Sequence, residues 1–264
     1  MTARIGIHGA AGRMGQRLVT LGTADPQLQV AAALEAAGQP RLGDDAGQVA
    51  GIDAIGVPLT AELETEVDGV IDFSIPEPAI NMVRICAERR IPVVVATTGF
   101  NQPQQQEIIS AAERTAVLQA PNMSLAVNLT MKLSEIAAGA LKEHSGGVDV
   151  EILERHHRGK EDSPSGTALK FGEIIAAVMG QTDHRHGREG RIGVRPQTEI
   201  GYHAIRVGDN PGEHTIVFGL LGETIELCVD ATNRDAYALG ALAAVKFIQG
   251  KPPGMYSMSD VLGF

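Results

Sequence analysis

The feature that most restricts the fold is the alternation of short apolar runs with helical patterns over the first half of the chain. Arg4 to His8 read as a strand, Gln16 to Thr23 as a helix, and Leu28 to Leu34 as a second strand. Val67 to Phe73, Ile91 to Ala96 and Ala116 to Gln119 add three strands, with helices expected over Ala79 to Arg89 and Pro103 to Arg114. Ala36 to Ala50, rich in Gly, Asp and small residues, read as a surface loop. Strands joined by helices form parallel sheets covered on both faces, so an α/β fold is expected. Ligands of such sheets bind at the carboxyl ends of the strands. The candidate binding loops are therefore Gly9 to Met14, Glu35, Ala96 to Gly99, and Ala120 to Met123.

The first of these loops is the most informative. Gly9, Ala10, Ala11, Gly12, Arg13, Met14 and Gly15 spell G-x-x-G-x-x-G between a strand and a helix. Glycines there permit a tight turn, close approach of backbone to a pyrophosphate, and close packing of helix on strand. An ordinary glycine-rich turn has the same look. What favours a dinucleotide is Glu35, at the end of the second strand and about 20 residues past the last glycine, where a carboxylate meets a ribose hydroxyl. The fold class expected is thus a Rossmann-like doubly wound parallel sheet. Ala96, Thr97, Thr98, Ala120, Pro121, Asn122 and Met123 are further cofactor-binding candidates. A polar turn would equally explain the threonines, and a helix cap Asn122.

After a long helix expected over Leu125 to Glu143 the texture changes. Val148, Val150, Ile152 and Leu153 read as a strand ending at Glu154. Arg155, His156, His157, Arg158 and Lys160 follow on a loop. Ser165-Gly166-Thr167 then opens a helix with Ala168, Phe171, Ile175 and Val178 on one face. A helix start offers unpaired N–H groups and the positive end of the dipole, and Lys160 and Thr167 add donors, so this loop suits an anion. Histidines there could exchange protons near neutral pH. The plainer reading is a solvated loop whose bases pair with Glu154, Glu161 and Asp162. Gln181 to Arg195 are polar and Gly/Arg-rich. Glu199 to Val207, Glu213 to Leu221 and Thr224 to Asp230 are three strands, expected to be antiparallel neighbours because turn sequences separate them. A smaller α+β domain with a mixed or antiparallel sheet is the expectation. Ala236 to Gln249 return to helix, which Pro252 and Pro253 stop.

Composition narrows the function classes. The 264 residues carry a net charge of −10, with 3% aromatics and no Trp. That disfavours nucleic-acid binding and attraction to anionic membranes. Cys86 and Cys228 are far apart in apolar contexts and read as buried thiols in a reducing compartment. His184 and His186 form an H-x-H without a third ligand, so no metal site is expected. His203 and His214 lie on expected strands, where structural histidines are the default. No signal pattern or membrane-length apolar run occurs, and a cytoplasmic protein is expected.

Taken together, these residues resemble the 4-hydroxy-tetrahydrodipicolinate (dihydrodipicolinate) reductase family over nearly the whole chain. The resemblance rests on Gly9 to Gly15, Leu34-Glu35, Ala96 to Phe100, Ala120 to Asn128, Gly212 to Thr215, Asp260 to Leu262, and above all H-H-R-x-K-x-D-x-P-S-G-T at His156 to Thr167. It implies a dinucleotide-binding domain over 1–124, a substrate-binding and oligomerisation domain over 125–233, and a return of 234–264 to the first domain. It implies a nicotinamide cofactor (NADH or NADPH), a small dicarboxylate substrate, a place in lysine and diaminopimelate biosynthesis, and a homotetramer. A cleft between the domains is expected to close over both ligands. By motif, His156 is the general acid/base and Lys160 its proton-donating partner, with His157, Lys160, Ser165, Gly166 and Thr167 on the substrate carboxylates. Ala36 follows Glu35 where this family often has a basic residue for a 2′-phosphate, although Arg13 remains; NADH is therefore expected to serve at least as well as NADPH. Gly159 stands where a bulkier polar residue is usual, and Ser163 replaces a small apolar one. Two other readings compete. A sugar or inositol dehydrogenase would usually carry an E-K-P element, which is missing. A nucleotide sensor without turnover would not need the His156/Lys160 pair.

Overall fold

The structure is a computed structural model that describes residues 2–264. In chain order the elements begin β1 (Ala3–His8), α1 (Arg13–Ala24), β2 (Leu28–Leu34), α2 (Ala46–Val49), β3 (Leu59–Thr60), β4 (Gly69–Asp72), α3 (Pro76–Arg89), β5 (Val93–Val95), α4 (Gln102–Ala111) and β6 (Ala116–Gln119). Then come α5 (Leu125–Leu141), β7 (Asp149–His156), α6 (Gly166–Met179), β8 (Asp183–His186), β9 (Glu199–Arg206), β10 (Glu213–Leu220) and β11 (Glu223–Asp230). The chain ends with α7 (Asp235–Ile248), β12 (Gly254–Tyr256) and α8 (Met258–Leu262). Two compact units result: residues up to Leu125 together with Arg234–Phe264, and Ala126–Asn233.

The first unit holds a seven-stranded sheet of order β12-β6-β5-β4-β1-β2-β3, in which every pairing is parallel. The central strands have no polar face because both faces are covered. On one side Ile5, Ile7, Ile71 and Val94 pack with Leu18 and Val19 of α1 and Leu242 and Val245 of α7. On the other Val70, Val93, Val95 and Val117 pack with Ile80 and Val83 of α3 and Ile108 of α4. Each such side chain contributes about 1.5–3 kcal/mol through burial. This is the doubly wound α/β class. Past the two prolines the chain re-enters this sheet as β12, parallel to β6, an edge strand that periodicity did not signal because it is three residues long.

The stretch 36–50 is not all loop. Asp45 caps α2, and its carboxylate accepts N–H bonds from Gly47, Gln48, Ile55, Gly56 and Val57. Those bonds hold its pKa below the ordinary value despite the opposing effect of desolvation. The knot they tie places Ala46 and Val49 in the core.

The second unit is a five-stranded mixed sheet, β11-β10-β7-β9-β8, with α5 and α6 on one face. Phe171 and Ile175 of α6 and Val127 and Met131 of α5 cover Val150, Ile152, Ile200, Tyr202, Ile216 and Phe218. The expected antiparallel meander is corrected here. β10 and β11 are antiparallel, but β9 lies on the far side of β7 and runs parallel to it. The Gly208–Gly212 turn therefore passes over the end of β7. Two strand spacings are roughly 9.6 Å, within reach of five residues at about 3.3 Å each. The polar stretch after Gln181 is also not free. β8 pairs with β9, and Arg188 and Arg195 clamp Glu151, which His203 also contacts. Burial would raise the Glu151 carboxyl, but the bonds from Arg188, Arg195 and His203 outweigh it and hold it at about 2. Of the two cysteines Cys86 is buried, whereas Cys228 is exposed. Its neighbours Leu227 and Val229 turn inward, and strand alternation sends Cys228 to the other face.

Candidate functional site

In the first unit, β1 delivers Gly9 to Gly12 to the sheet's carboxyl edge, and Arg13 and Met14 open α1. Gly9 has φ +83°, and a Cβ on it would lie 2.7 Å from the Phe73 carbonyl oxygen. Glu35, just past β2, is folded onto this turn: its Oε1 accepts the Ala11 N–H at 2.8 Å. The structure thus brings together the glycine turn and the carboxylate that spacing paired with it. Thr97, Thr98 and Phe100 after β5, with Gln119, Ala120 and Pro121 at the end of β6, line a cavity of about 320 Å³. Ala96 and Met123 are buried around it in sequence, and Oδ1 of Asn122 accepts the Ser124 N–H at 2.9 Å. Thr97 differs from a simple binding side chain. It is buried and donates its hydroxyl to Oδ2 of Asp72, whose Oδ1 takes Nδ1–H of His8 at 2.6 Å and the Ser74 hydroxyl at 2.7 Å. This buried group pins three loops; Thr97 is a candidate from the sequence, but its partners His8 and Asp72 are not, because they sit on separate strand ends.

In the second unit, β7 runs two residues further than expected. Arg155 and His156 remain in register with Glu213 of β10 and with Ile205 and Arg206 of β9. His156 therefore stands on a strand end, paired with Arg206 of β9, and the loop starts at His157. Val150, Ile152, Glu154 and His156 share the buried face. A carboxylate and an imidazole on an apolar strand face are a signal the sequence did offer, through period-two alternation.

Glu154 is 3% exposed and fully partnered. Its Oε2 takes Nδ1–H of His156 at 2.5 Å, Arg206 grips both oxygens at 2.8 and 2.7 Å, and the Ser165 N–H reaches Oε1 at 3.1 Å. Burial pushes the Glu154 carboxyl up, but Arg206 and His156 outweigh it, and the group lies below its ordinary value. His156 is lowered, chiefly by burial, against the opposing pull of Glu154. Gly212 sits at φ +150°, and a Cβ there would stand 2.8 Å from Nε2 of His156, so this position leaves room for the ring.

Around the helix start, Ser165 is buried as the N-cap of α6, its Oγ accepting the Ala168 N–H. That leaves its proton for Nε2 of His214 at 3.1 Å. A Cβ on exposed Gly166 would meet nothing within 4 Å, which leaves the backbone open to close approach by a ligand. Thr167 lies in the first turn of α6. Lys160 reaches Oδ1 of Asp162 at 2.8 Å, and the half-buried His157 is held through its N–H to the Asn210 carbonyl. His214 is a site neighbour rather than a remote structural residue: its ring meets His156 edge-on at 5.3 Å. Burial, with the nearby charges of His156 and Lys160, pushes His214 down to about 4.

A stability prediction follows from His214. Its folded value lies below the unfolded one near 6.5, so the neutral ring adds stability that is full above pH ~6.5 and is lost as pH falls toward 4. The loss approaches ~3 kcal/mol at the lower end. Denaturant unfolding between pH 7 and 4.5 should show this slope in the wild type and a shallower one in His214→Gln. Equal slopes would remove His214 from the acid response.

The remaining histidine motif, His184 and His186, lies on β8 beside Tyr202, with Nδ1 of His184 bonded to the phenol at 2.7 Å. Among the described residues no group of three or more His, Cys, Asp or Glu is placed to hold a metal. No described helix is long and apolar enough to cross a membrane.

Comparison with known proteins decides what these two groups of residues belong to. The family model described as dihydrodipicolinate reductase, N-terminus, matches residues 3–123, and that described as dihydrodipicolinate reductase, C-terminus, matches 126–262. The chain belongs to the dihydrodipicolinate reductase family. It is 57% identical to the 4-hydroxy-tetrahydrodipicolinate reductase of Rhodopirellula baltica, over 97% of this chain and 95% of that one. It is 44% identical to the corresponding reductase of Methylococcus capsulatus, over 100% of this chain and 99% of the other. Among solved structures, a dipicolinate-bound dihydrodipicolinate reductase from a Paenisporosarcina species superposes with a TM-score of 0.79 at 27% identity, covering 97% of this chain and 98% of that one. This family member is an oxidoreductase, and its cofactor is a nicotinamide dinucleotide. The first unit fits that group: the crowded glycine turn, the bare start of α1 and Glu35 form a cradle for a pyrophosphate and a ribose.

Proposed function

We propose that this chain reduces 4-hydroxy-tetrahydrodipicolinate to tetrahydrodipicolinate in lysine and diaminopimelate biosynthesis, and that it does so with the residues described above. The observation that carries the assignment of roles is the basic loop at the start of α6, set beside a buried His–Glu pair. Gly9, Ala10, Ala11, Gly12, Arg13 and Met14 hold the pyrophosphate, and Glu35 the ribose hydroxyls. Ala96, Thr97, Thr98 and Ala120 to Met123 form the wall for the nicotinamide end. When bound, the reduced nicotinamide supplies the hydride that the substrate ring accepts. One proton completes the reduction, and water leaves.

The chain's own part is binding, orientation and proton movement. The first amides of α6 at Gly166 and Thr167, with Ser165, His157 and Lys160, hold the substrate carboxylates, because backbone N–H groups and the helix dipole favour anions there. Glu154 keeps the proton on Nδ1 of His156, so Nε2 is the nitrogen that exchanges a proton with the substrate. Lys160, paired with Asp162, donates to the same site. The first unit then acts as the dinucleotide-binding domain, and the second as the substrate-binding and oligomerisation domain.

The cofactor preference we propose is NADH at least equal to NADPH. Ala36 offers no charge to a 2′-phosphate, and Glu35 would repel one. Steady-state oxidation of each cofactor, with substrate generated enzymatically, tests both parts. Turnover with a kcat/KM for NADH no lower than for NADPH is expected. A tenfold preference for NADPH would overturn the preference, and cofactor binding with no turnover would favour a sensor. A cytoplasmic homotetramer completes the proposal. Support for association comes from the outer face of the second sheet, where Leu153 and Ile205 are exposed at 38% and 50%. Such a face is a natural site for a second copy.

A further inference from the structure

Glu154 and Arg206 form a closely bonded ion pair in the second unit, and the roles assigned above give Arg206 no task. Glu154 lies on the inner face of β7, two residues before His156. Arg206 lies at the end of β9, directly opposite His156 in the parallel register. Its guanidinium donates to both Glu154 oxygens, and also to the Asp162 carbonyl at 2.6 Å. One carboxylate therefore touches the imidazole of His156, the N-cap of α6 through the Ser165 N–H, and the basic loop through Arg206. A buried ion pair gains little stability over apolar packing. Its retention here needs a reason other than holding the fold.

We infer that Glu154 and Arg206 are positioning residues that act through His156, the carboxylate fixing which ring nitrogen is exposed and the guanidinium limiting how tightly that carboxylate holds the ring's proton. The inference rests on the reading that His156 moves the proton. A carboxylate accepts only, so Nδ1 must carry hydrogen and Nε2 must face the reaction. An unshielded carboxylate 2.5 Å from an imidazole would also strengthen proton binding greatly. Arg206 draws on the same two oxygens and offsets that pull. The other groups facing His156 are Lys160 on the loop, with Asp162 beside it, and neutral His214 on β10. Neither Lys160 nor His214 offers an anionic acceptor, so the carboxylate decides the tautomer.

Two substitutions should then move one equilibrium in opposite directions. Glu154→Gln removes the anion and keeps the acceptor oxygen. Proton binding at His156 is expected to weaken at least tenfold. Arg206→Met leaves the anion unshared, and proton binding is expected to strengthen by about tenfold. Arg206→Lys keeps the charge but not the two-oxygen grip and should fall between. NMR titration of the histidine ring signals in the full-length chain, with His156 assigned by His156→Gln, reads these constants without turnover. The pH profile of kcat/KM is measured alongside. Opposite displacements support the inference. Constants within about twofold of wild type, or displacements in one direction, overturn it. If Glu154→Gln does not fold, the two Arg206 variants decide alone. Should the ring constants move as expected while the kcat/KM limb stays put, the positioning pair stands and His156 as proton carrier fails.

Discussion

Lys160→Ala should lower kcat/KM by roughly a hundred- to ten-thousandfold, the range lost when a proton-transfer partner is removed. The amine has two tasks in the proposed site. It neutralises a substrate carboxylate, and it supplies a proton beside His156. Its present partner is Asp162, a side chain 59% exposed. Deleting the amine removes a positive charge and leaves that carboxylate to repel the anionic substrate. KM for the dicarboxylate should therefore rise while kcat falls. Lys160→Arg separates the tasks. A guanidinium keeps the charge but does not release a proton at working pH, so it should recover KM far more than kcat. NADH affinity is the internal control. Lys160 belongs to the second unit and the glycine turn to the first, so the dissociation constant for NADH should stay near wild type in both variants. A parallel loss of cofactor binding would show that Lys160 serves the dinucleotide and that its role has been misplaced.

Much of this site was legible because chemistry-bearing residues fell into contiguous strings. The glycine turn and its carboxylate are separated by one helix and one strand, and the fold closes that gap as spacing implied: Glu35 accepts the Ala11 N–H. The loop and helix start at His157 to Thr167 were equally plain, since Ser165 and the apolar face of α6 mark where the helix begins. What escaped were contributions from strands remote in sequence. Arg206 and His214 reach His156 only because β9 and β10 flank β7 on opposite sides. That order followed from a five-residue turn crossing a strand end, where turn chemistry alone suggested a simple hairpin. Asp72 is the same kind of omission in the first unit. It lies within an expected strand, but its partners His8, Ser74 and Thr97 come from three segments that only the sheet order joins. The end of β7 is hidden in the sequence for a different reason. Charged residues after Glu154 look like a loop, yet pairing with both neighbours keeps Arg155 in the sheet and pairing with β9 keeps His156 there.

Gly15→Ala should damage both the fold of the first unit and its hold on the cofactor. Gly15 occupies the first turn of α1, where helix propensity alone would favour alanine by about 1 kcal/mol. Packing reverses that sign. A Cβ on Gly15 would lie 2.1 Å from the Gly9 carbonyl oxygen and 2.6 Å from the Ala10 Cα. Both are backbone atoms, so no side-chain rotation relieves the contact. The turn has little room to retreat either, because not even a Cβ fits between Gly9 and the Phe73 carbonyl and the Gly9 and Ala10 N–H groups are bonded to the Leu34 carbonyl. Helix α1 must therefore move off the turn, and its first amides leave the position proposed for them beside a pyrophosphate. Overpacking of this kind costs about 1–3 kcal/mol of stability. Misaligned donors should weaken NADH binding by tenfold or more, each tenfold being about 1.4 kcal/mol. Gly38→Ala is the matched control, since a Cβ there meets nothing within 4 Å. Calorimetric titration with NADH, with a thermal melt of each variant, makes the comparison. If Gly15→Ala binds and melts like Gly38→Ala, close approach of helix to turn is not what forms the dinucleotide site. The bare start of α1 and Glu35 would then have to hold the cofactor without it.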